Sequence, residues 1–336
     1  MRNIRRVMFA VSGAGVLAVS ACGGGSTGTD GGTTEISIFA GSLPQASPQG
    51  AGVDAMVDHI NEAGVGLEAV GFFDTALGDA STMVQGMQEG TIDVGVSGNA
   101  YYSSLVPEIQ VFELPFLFDD VEAARSVTAE GPVRDAMFAY FDDTDVVGLS
   151  IWEGGMRQLS NDVRPVSSPD DLAGVKLRTL PSPIQQEAWS AMGALPQAID
   201  AAELYTALQQ GTVDGQENPL AEIVFRDMYE VQDYVSLTSH VYTPHTMGVS
   251  RQTWDSLTDE QKDVLQEAAE VGREANLAAN DEAEASAMQT LLDEGVEVEE
   301  DVDRDAFAEL GTSVWPLFTD QYGTELVDQI EQATGG

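Results

Sequence analysis

Two arginines in the middle of the chain are the residues best suited to hold a small anion. Arg157 occurs in the segment GGMRQLSN, and Arg178 occurs in GVKLRTLP. Residues 175–179 alternate between apolar and polar side chains, which predicts a strand on which Arg178 faces away from Leu177. A guanidinium group can bind a carboxylate through two parallel, charge-assisted hydrogen bonds. The residues alone leave an alternative open, which is an internal ion pair with one of the 56 acidic residues.

The sequence contains no group of residues typical of a catalytic or metal centre. The chain has three histidines, and no pattern supplies the further ligand that a zinc site at His240 and His245 would require. Walker A, HExxH and strand-linked GxGxxG motifs do not occur. The single cysteine, Cys22, lies close to the N-terminus. We therefore expect a binding protein that is not an enzyme and that uses neither a cofactor nor a metal.

The first 21 residues predict an export signal. MRNIRR is basic, and the apolar run after it is too short to cross a bilayer stably. The run ends in Val19-Ser20-Ala21-Cys22, which resembles the cleavage site of bacterial lipoproteins. We expect Cys22 to be lipidated and to hold the mature protein at the outer face of the cytoplasmic membrane, with residues 22–34 as a flexible tether. A plain signal peptide with an incidental cysteine is the alternative.

Size and charge limit the possible partners. A chain of 336 residues with 43% hydrophobic residues is long enough for two domains with real cores. Its net charge of −42 repels nucleic acid, because phosphate binding requires clustered lysines and arginines. A calcium site is not indicated, since no segment has the full ligand spacing of an EF-hand loop. We expect a highly soluble surface and a monomer.

A short string recurs 121 positions apart and indicates how the candidate site is positioned. Residues 87–93 read MQEGTID, and residues 208–214 read LQQGTVD. In both places a helix is predicted to end at the glycine, and a strand is predicted to follow. We interpret the repeat as the same unit in each of two α/β domains that face one another across a cleft. Chance similarity of so short a string is the alternative.

A long helix is predicted to brace the two domains. Thr258 and Gln261 have the spacing of a capping box, and the helical pattern continues to Glu294. Such a helix would be about 54 Å long, which exceeds the width of one small domain. We expect domain I to comprise residues 35–150 and about 245–283, and domain II to comprise 151–244 and about 284–336. Further helices are predicted at residues 48–63 and 121–141, and two more at 305–334.

Residues 145–254 resemble the solute-binding proteins of tripartite ATP-independent periplasmic (TRAP) transporters, of the dicarboxylate-binding DctP type. The matching segments are GGMRQLSN, RPVSSPDDLAGVKLRTL, YTALQQGTVDGQENP and TSHVYTPHTMGVS. The earlier segments ALGDAST, MQEGTIDVGVSG and ELPFLF fit as well, so the resemblance extends from about residue 35 to 336. It implies a two-domain, type II periplasmic-binding-protein-like α/β fold with a long helix that spans both domains.

The resemblance also implies roles for particular residues. The arginine of GxKxR that clamps the ligand carboxylate corresponds to Arg178, and the arginine of GxRQ that adds a second contact corresponds to Arg157. The asparagine of DGxENP corresponds to Asn218, with Glu217 beside it orienting the site. The other residues expected in the cleft are Asp79, Asn99, Tyr101, Trp152 and Tyr242.

The expected function is therefore capture of a small organic acid outside the cytoplasm and its delivery to the membrane subunits of a TRAP transporter. The alternative is the substrate-binding lipoprotein of an ABC-type importer. A secreted hydrolase and a surface adhesin are further alternatives, but no nucleophile with its base is visible.

Overall fold

The computed structural model describes residues 33–335. The predicted signal (residues 1–21) and residues 22–32 of the predicted tether, which include Cys22, lie outside this range. The first strand begins at Thr34, at the end of the predicted tether. Within residues 33–335, every helix is too short or too polar to cross a membrane.

The first sheet is formed mainly by the N-terminal part of the chain. Its strands are β1 (Thr34–Gly41), β2 (Leu67–Asp74), β3 (Val94–Gly98), β4 (Val146–Met156) and β10 (Tyr242–Ser250). They lie in the order β2-β1-β3-β10-β4. Strands β1, β2 and β3 are parallel, whereas β10 is antiparallel to both β3 and β4. The sheet therefore receives one strand from much later in the sequence.

The second sheet is formed by the segment after β4 and by one short late strand. Its strands are β5 (Gln158–Asn161), β6 (Lys176–Thr179), β7 (Leu195–Ala198), β8 (Gly215–Asn218), β9 (Tyr234–Ser236) and β11 (Glu297–Glu299). They lie in the order β11-β9-β5-β8-β6-β7. The chain passes from the first sheet to the second between Met156 and Gln158.

Helices accompany both sheets. They are α1 (Pro48–Ala63), α2 (Ala80–Glu89), α3 (Asn99–Tyr102), α4 (Val121–Ala129), α5 (Pro132–Ala139), α6 (Pro183–Ala191), α7 (Leu204–Gln209), α8 (Leu220–Phe225), α9 (Arg251–Ser256), α10 (Asp259–Asp293), α11 (Arg304–Gly311), α12 (Pro316–Tyr322) and α13 (Glu325–Thr334). Helix α1 has the bounds predicted from the sequence. The predicted helix at 121–141 is instead two helices, because Gly131 has a φ of +98° and Pro132 begins the second one. The C-terminal segment has three helices rather than two.

The long helix α10 packs against elements of both sheets. It has 35 residues and begins with the predicted capping box between Thr258 and Gln261. It contacts α1 and β4 on one side of the molecule, and α8 and β11 on the other. At its crossing with β4, Gly52 and Gly272 lie so close to Trp152 that an added Cβ would come within 2.6 Å of the indole ring. This close approach fixes the helix against the end of the first sheet.

Both copies of the repeated string fold as predicted. Helix α2 ends at Gly90 with a φ of +71°, and β3 begins four residues later at Val94. Helix α7 is followed by Gly211 with a φ of +65°, and β8 begins four residues later at Gly215. The left-handed conformation favours glycine at these two positions. The unit delivers β3 to the centre of the first sheet and β8 to the centre of the second.

Candidate functional site

A small cavity lies where the two sheets face each other. Its volume is about 20 Å³. Residues from both sheets and from the segments that follow their strands line it, namely Gly41, Ser42, Leu43, Ser97, Gly98, Tyr101, Arg157, Arg178, Leu180, Ala201, Asn218, Glu222, Arg226, Thr243 and His245. A wider cavity of about 290 Å³ adjoins it and shares Ser42, Ala201 and Arg226. The inner cavity is about the size of one water molecule, so its walls must separate to admit an organic acid.

Arg178 is the predicted ligand residue that the structure places most clearly in this cavity. Strand β6 carries it, and the neighbouring Leu177 is buried in the hydrophobic core on the other face of the strand. Nε of Arg178 donates a hydrogen bond to the carbonyl of Ile199 at 2.8 Å. Within residues 33–335, Nη2 is buried without a hydrogen-bond partner, and the side chain forms no ion pair.

The buried positive charge of Arg178 makes this residue well suited to bind an anion. The residue is 1% exposed, and this burial lowers the pKa of its guanidinium group. Arginine nevertheless stays charged in proteins because its ordinary pKa is so high. A buried charge without a partner is unfavourable, and an entering carboxylate relieves that cost. The cavity therefore contains a cation that is already in position to pair with the carboxylate of a ligand.

Arg157 reaches the same cavity but is paired with Glu217 inside the protein. Both Oε atoms of Glu217 accept hydrogen bonds from Arg157, one of them from Nη2 at 2.9 Å. His240 Nε2 lies 3.1 Å from Glu217 Oε2. Burial alone would raise the pKa of Glu217, but the charge of Arg157 and the contact with His240 lower it to about 2. Glu217 is thus ionised and orients Arg157, whose Nη1 also contacts Thr243 Oγ1 at 3.3 Å.

Asn218 and Tyr101 are the other predicted site residues that line the cavity. Asn218 ends strand β8 and donates from Nδ2 to Gln216 Oε1 at 2.5 Å. Tyr101 comes from α3, which follows the first-sheet strand β3, and its hydroxyl accepts from the backbone N–H of Ala201 at 3.0 Å. Ala201 follows the second-sheet strand β7, so this bond joins the two sides of the cavity.

Five predicted site residues do not line the cavity: Glu217, which acts through Arg157 as described above, and the four that follow. The carboxylate of Asp79 caps helix α2 by accepting from the N–H of Thr82 at 2.7 Å. Asn99 is fully buried and accepts from Thr246 Oγ1 at 2.6 Å. Trp152 donates to the carbonyl of Ala269 in the core beside α10. Tyr242 packs edge-on against Phe118 at 5.9 Å between ring centroids. Each of these side chains is held by its own structural contacts.

Three ionisable residues of the cavity, Glu222, Arg226 and His245, were not predicted as site residues from the sequence. Arg226 follows helix α8, bonds through Nε to Glu222 Oε1 at 2.7 Å, and donates from Nη2 to the carbonyl of Ser42 at 2.7 Å. Burial lowers the pKa of His245 to about 4, so its ring is neutral near pH 7. The four-residue spacing of Glu222 and Arg226 on a helix was the available sequence signal.

The structure has two opposed β-sheets with flanking helices, a long helix that packs against both, and a buried arginine without an ion-pair partner between them within residues 33–335. These are the features of a periplasmic-type solute-binding protein. Comparisons with known proteins agree with this class. The family profile DctP, "Bacterial extracellular solute-binding protein, family 7", matches residues 39–321. The 2,3-diketo-L-gulonate-binding periplasmic protein YiaO of Escherichia coli is 34% identical over 266 residues, which cover 78% of this chain and 80% of that protein.

Solved structures of TRAP solute-binding proteins have the same fold. One from Polaromonas sp. JS666, bound to D-erythronate, has a TM-score of 0.85 and 32% identity, with coverage of 88% of this chain and 98% of that chain. The sugar acid binding protein DctPAm of Advenella mimigardefordensis, in complex with galactonate, has a TM-score of 0.86 and 29% identity, with coverage of 90% and 98%.

The chain belongs to the DctP family of extracellular solute-binding proteins. It has the two-domain type II fold of the TRAP solute-binding proteins, and its role is binding of a solute rather than catalysis. The predicted family, fold class and non-enzymatic role are confirmed.

Proposed function

We propose that this protein captures a small organic carboxylate in the cavity between its two sheets and delivers it to the membrane subunits of a TRAP transporter. The observation that carries the proposal is that Nη2 of Arg178 is buried and has no hydrogen-bond partner among the described residues 33–335. The carboxylate binds to the guanidinium of Arg178, and Arg157, Asn218 and Tyr101 contribute the surrounding polar contacts. Desolvation in the closed cavity strengthens these charge-assisted bonds.

The closing motion brings together elements of the two predicted domains. Arg226 and Ala201, from the second-sheet side, bond to Ser42 and Tyr101, from the first-sheet side. When these two bonds open, the inner cavity joins the wider one and a ligand can enter. The hinge then lies where the chain changes sheet, near residues 156–158 and 236–242. The domain bounds near these crossings remain our proposal.

The family and the relatives support the choice of ligand class. One relative is described as a 2,3-diketo-L-gulonate-binding protein, and two solved structures contain D-erythronate and galactonate. All three compounds carry a carboxylate. We therefore propose a sugar acid or related hydroxy acid as the ligand of this protein.

Isothermal titration calorimetry of the purified protein against a panel of organic acids tests this function. We expect saturable binding of at least one acid with one site per chain, and no binding of its uncharged amide. A protein that binds neutral sugars as tightly as the corresponding acids would contradict the proposal.

We further propose that lipidation of Cys22 holds the exported protein at the outer face of the cytoplasmic membrane. The supporting observation is the sequence Val19-Ser20-Ala21-Cys22 after a basic and then apolar segment. Labelling with a fatty-acid analogue in the native host should modify the protein but not the Cys22→Ser variant. Equal release of both proteins in soluble form would refute the anchor.

A further inference from the structure

Within residues 33–335, the charged side chains that line the cavity include three arginines, of which two form internal ion pairs and one does not. Arg157 is neutralised by Glu217, and Arg226 is neutralised by Glu222. In the second pair the side chains are only 11% and 12% exposed. Arg178 has no such partner within residues 33–335. The three guanidinium groups and two carboxylates thus leave a single uncompensated positive charge, which belongs to Arg178.

The other ionisable side chains at the cavity do not change this balance. His245 is neutral near pH 7, because burial lowers its pKa to about 4. Tyr101 is also neutral, since burial raises its pKa above the ordinary value. Burial opposes ionisation of Glu222, but the charges of Arg226 and Arg157 lower its pKa, so it carries a negative charge. Asp200 does not line the cavity, and its carboxylate accepts a hydrogen bond from Ser42 Oγ at 3.3 Å.

From this arrangement we propose that the cavity selects a hydroxylated monocarboxylate against a dicarboxylate, and that Glu222 is the residue that excludes the second carboxylate. The inference rests on the proposed function and specifies its ligand. One carboxylate neutralises Arg178. A second one would be buried beside Glu222 without a free cation, and burial of an unpaired charge is strongly unfavourable.

Hydroxyl groups suit the remaining cavity wall better than a second charge does. Ser42, Ser97 and Thr243 line the cavity. The hydroxyl groups of Ser42 and Ser97 already donate to Asp200 and to the carbonyl of Gly41, but all three hydroxyl oxygens have lone pairs that accept hydrogen bonds. The carboxylate of Glu222 accepts bonds from hydroxyl donors, whereas it repels a carboxylate. The charge of Arg226 is already neutralised by Glu222, and its Nη2 holds the carbonyl of Ser42, so Arg226 offers a second carboxylate no uncompensated charge. The polar groups therefore favour a polyhydroxy chain with one charged end.

Calorimetry with matched acids tests the inference. The pairs are D-galactonate with galactarate, D-gluconate with D-glucarate, and D-erythronate with meso-tartrate, in which only the terminal CH2OH is replaced by a carboxylate. We expect the monocarboxylate of any pair that binds to be at least about 100-fold tighter. Equal or tighter binding of the dicarboxylate would overturn the inference and leave the proposed function standing. Failure of all six acids and of the wider acid panel would overturn both.

The Glu222→Gln variant tests the assigned residue. Glutamine keeps the shape of the side chain and an acceptor for Arg226 but removes the negative charge. We therefore expect the ratio of monocarboxylate affinity to dicarboxylate affinity to fall at least about 10-fold. Glu203→Gln is the matched control, because Glu203 is exposed and outside the inner cavity; its ratio should equal that of the unmodified protein. An unchanged ratio in a folded Glu222→Gln protein would overturn the role of Glu222. Should that variant fail to fold, the ratio measured in the unmodified protein decides the inference.

Discussion

Replacement of Arg178 by methionine should strongly weaken ligand binding without destabilising the ligand-free protein. Methionine has a similar volume and can occupy the path of the arginine side chain beside Leu180. The change removes a buried guanidinium group whose only hydrogen bond within residues 33–335 goes from Nε to Ile199. Replacing a buried charge with an apolar side chain of similar size is often neutral or stabilising.

The loss of affinity follows from the bonds that the substitution removes. The terminal nitrogens of Arg178 supply the cation for the ligand. The other two arginines that line the cavity, Arg157 and Arg226, are each paired with a glutamate. Truncation of one partner of a buried, hydrogen-bonded charge pair costs about 2–5 kcal/mol. Because about 1.4 kcal/mol corresponds to a factor of ten, affinity should fall roughly 30-fold to several thousand-fold.

Calorimetry measures the affinity, and thermal unfolding without ligand measures the stability. Arg164→Met is the matched control, since Arg164 is exposed and its Nη1 only donates to the carbonyl of Asp171 at 3.3 Å. That variant should bind as the unmodified protein does. Unchanged affinity in Arg178→Met, or a steep fall in its melting temperature, would refute the reasoning and make Arg178 a structural residue.

Three further predictions test other parts of the site. Glu217→Gln leaves Arg157 buried without its partner, so urea unfolding should show a loss of about 3–5 kcal/mol; a loss below 1 kcal/mol would contradict the pair's importance. Burial raises the pKa of Glu284 from 4.5 to about 7, so the stability that its protonated form contributes is lost as pH rises through this range. Glu284→Gln should therefore match the unmodified protein at pH 4 and be more stable at pH 8, and equal stability at both would refute the raised pKa. Asp79→Ala removes a helix cap and should cost about 1 kcal/mol with unchanged ligand affinity; weaker binding would return Asp79 to the site.

Local features of the fold could be predicted from the sequence because local chemistry determines them. The capping box at Thr258 predicted the start of α10 to within one residue. The glycines at 90 and 211 predicted where two helices end, because the left-handed conformation favours glycine there. The alternation of apolar and polar residues around Leu177 predicted that the side chain of Arg178 faces away from the hydrophobic core.

The rest of the site depends on contacts between distant segments. Arg226 reaches the cavity because helix α8 packs against α10. The guanidinium of Arg226 then donates a hydrogen bond to the carbonyl of Ser42, which lies 184 positions away in the sequence. No local pattern determines such a contact. Asp79 and Trp152 were predicted in the cleft, but the first caps its own helix and the second fills the space left by Gly52 and Gly272.

A crystal structure of the protein with its tightest-binding organic acid tests the central claim most directly. We expect both oxygens of one ligand carboxylate to lie about 2.7–3.2 Å from the terminal nitrogens of Arg178, with the Arg157–Glu217 pair still intact. A ligand bound elsewhere, or one whose carboxylate does not contact Arg178, would contradict the account.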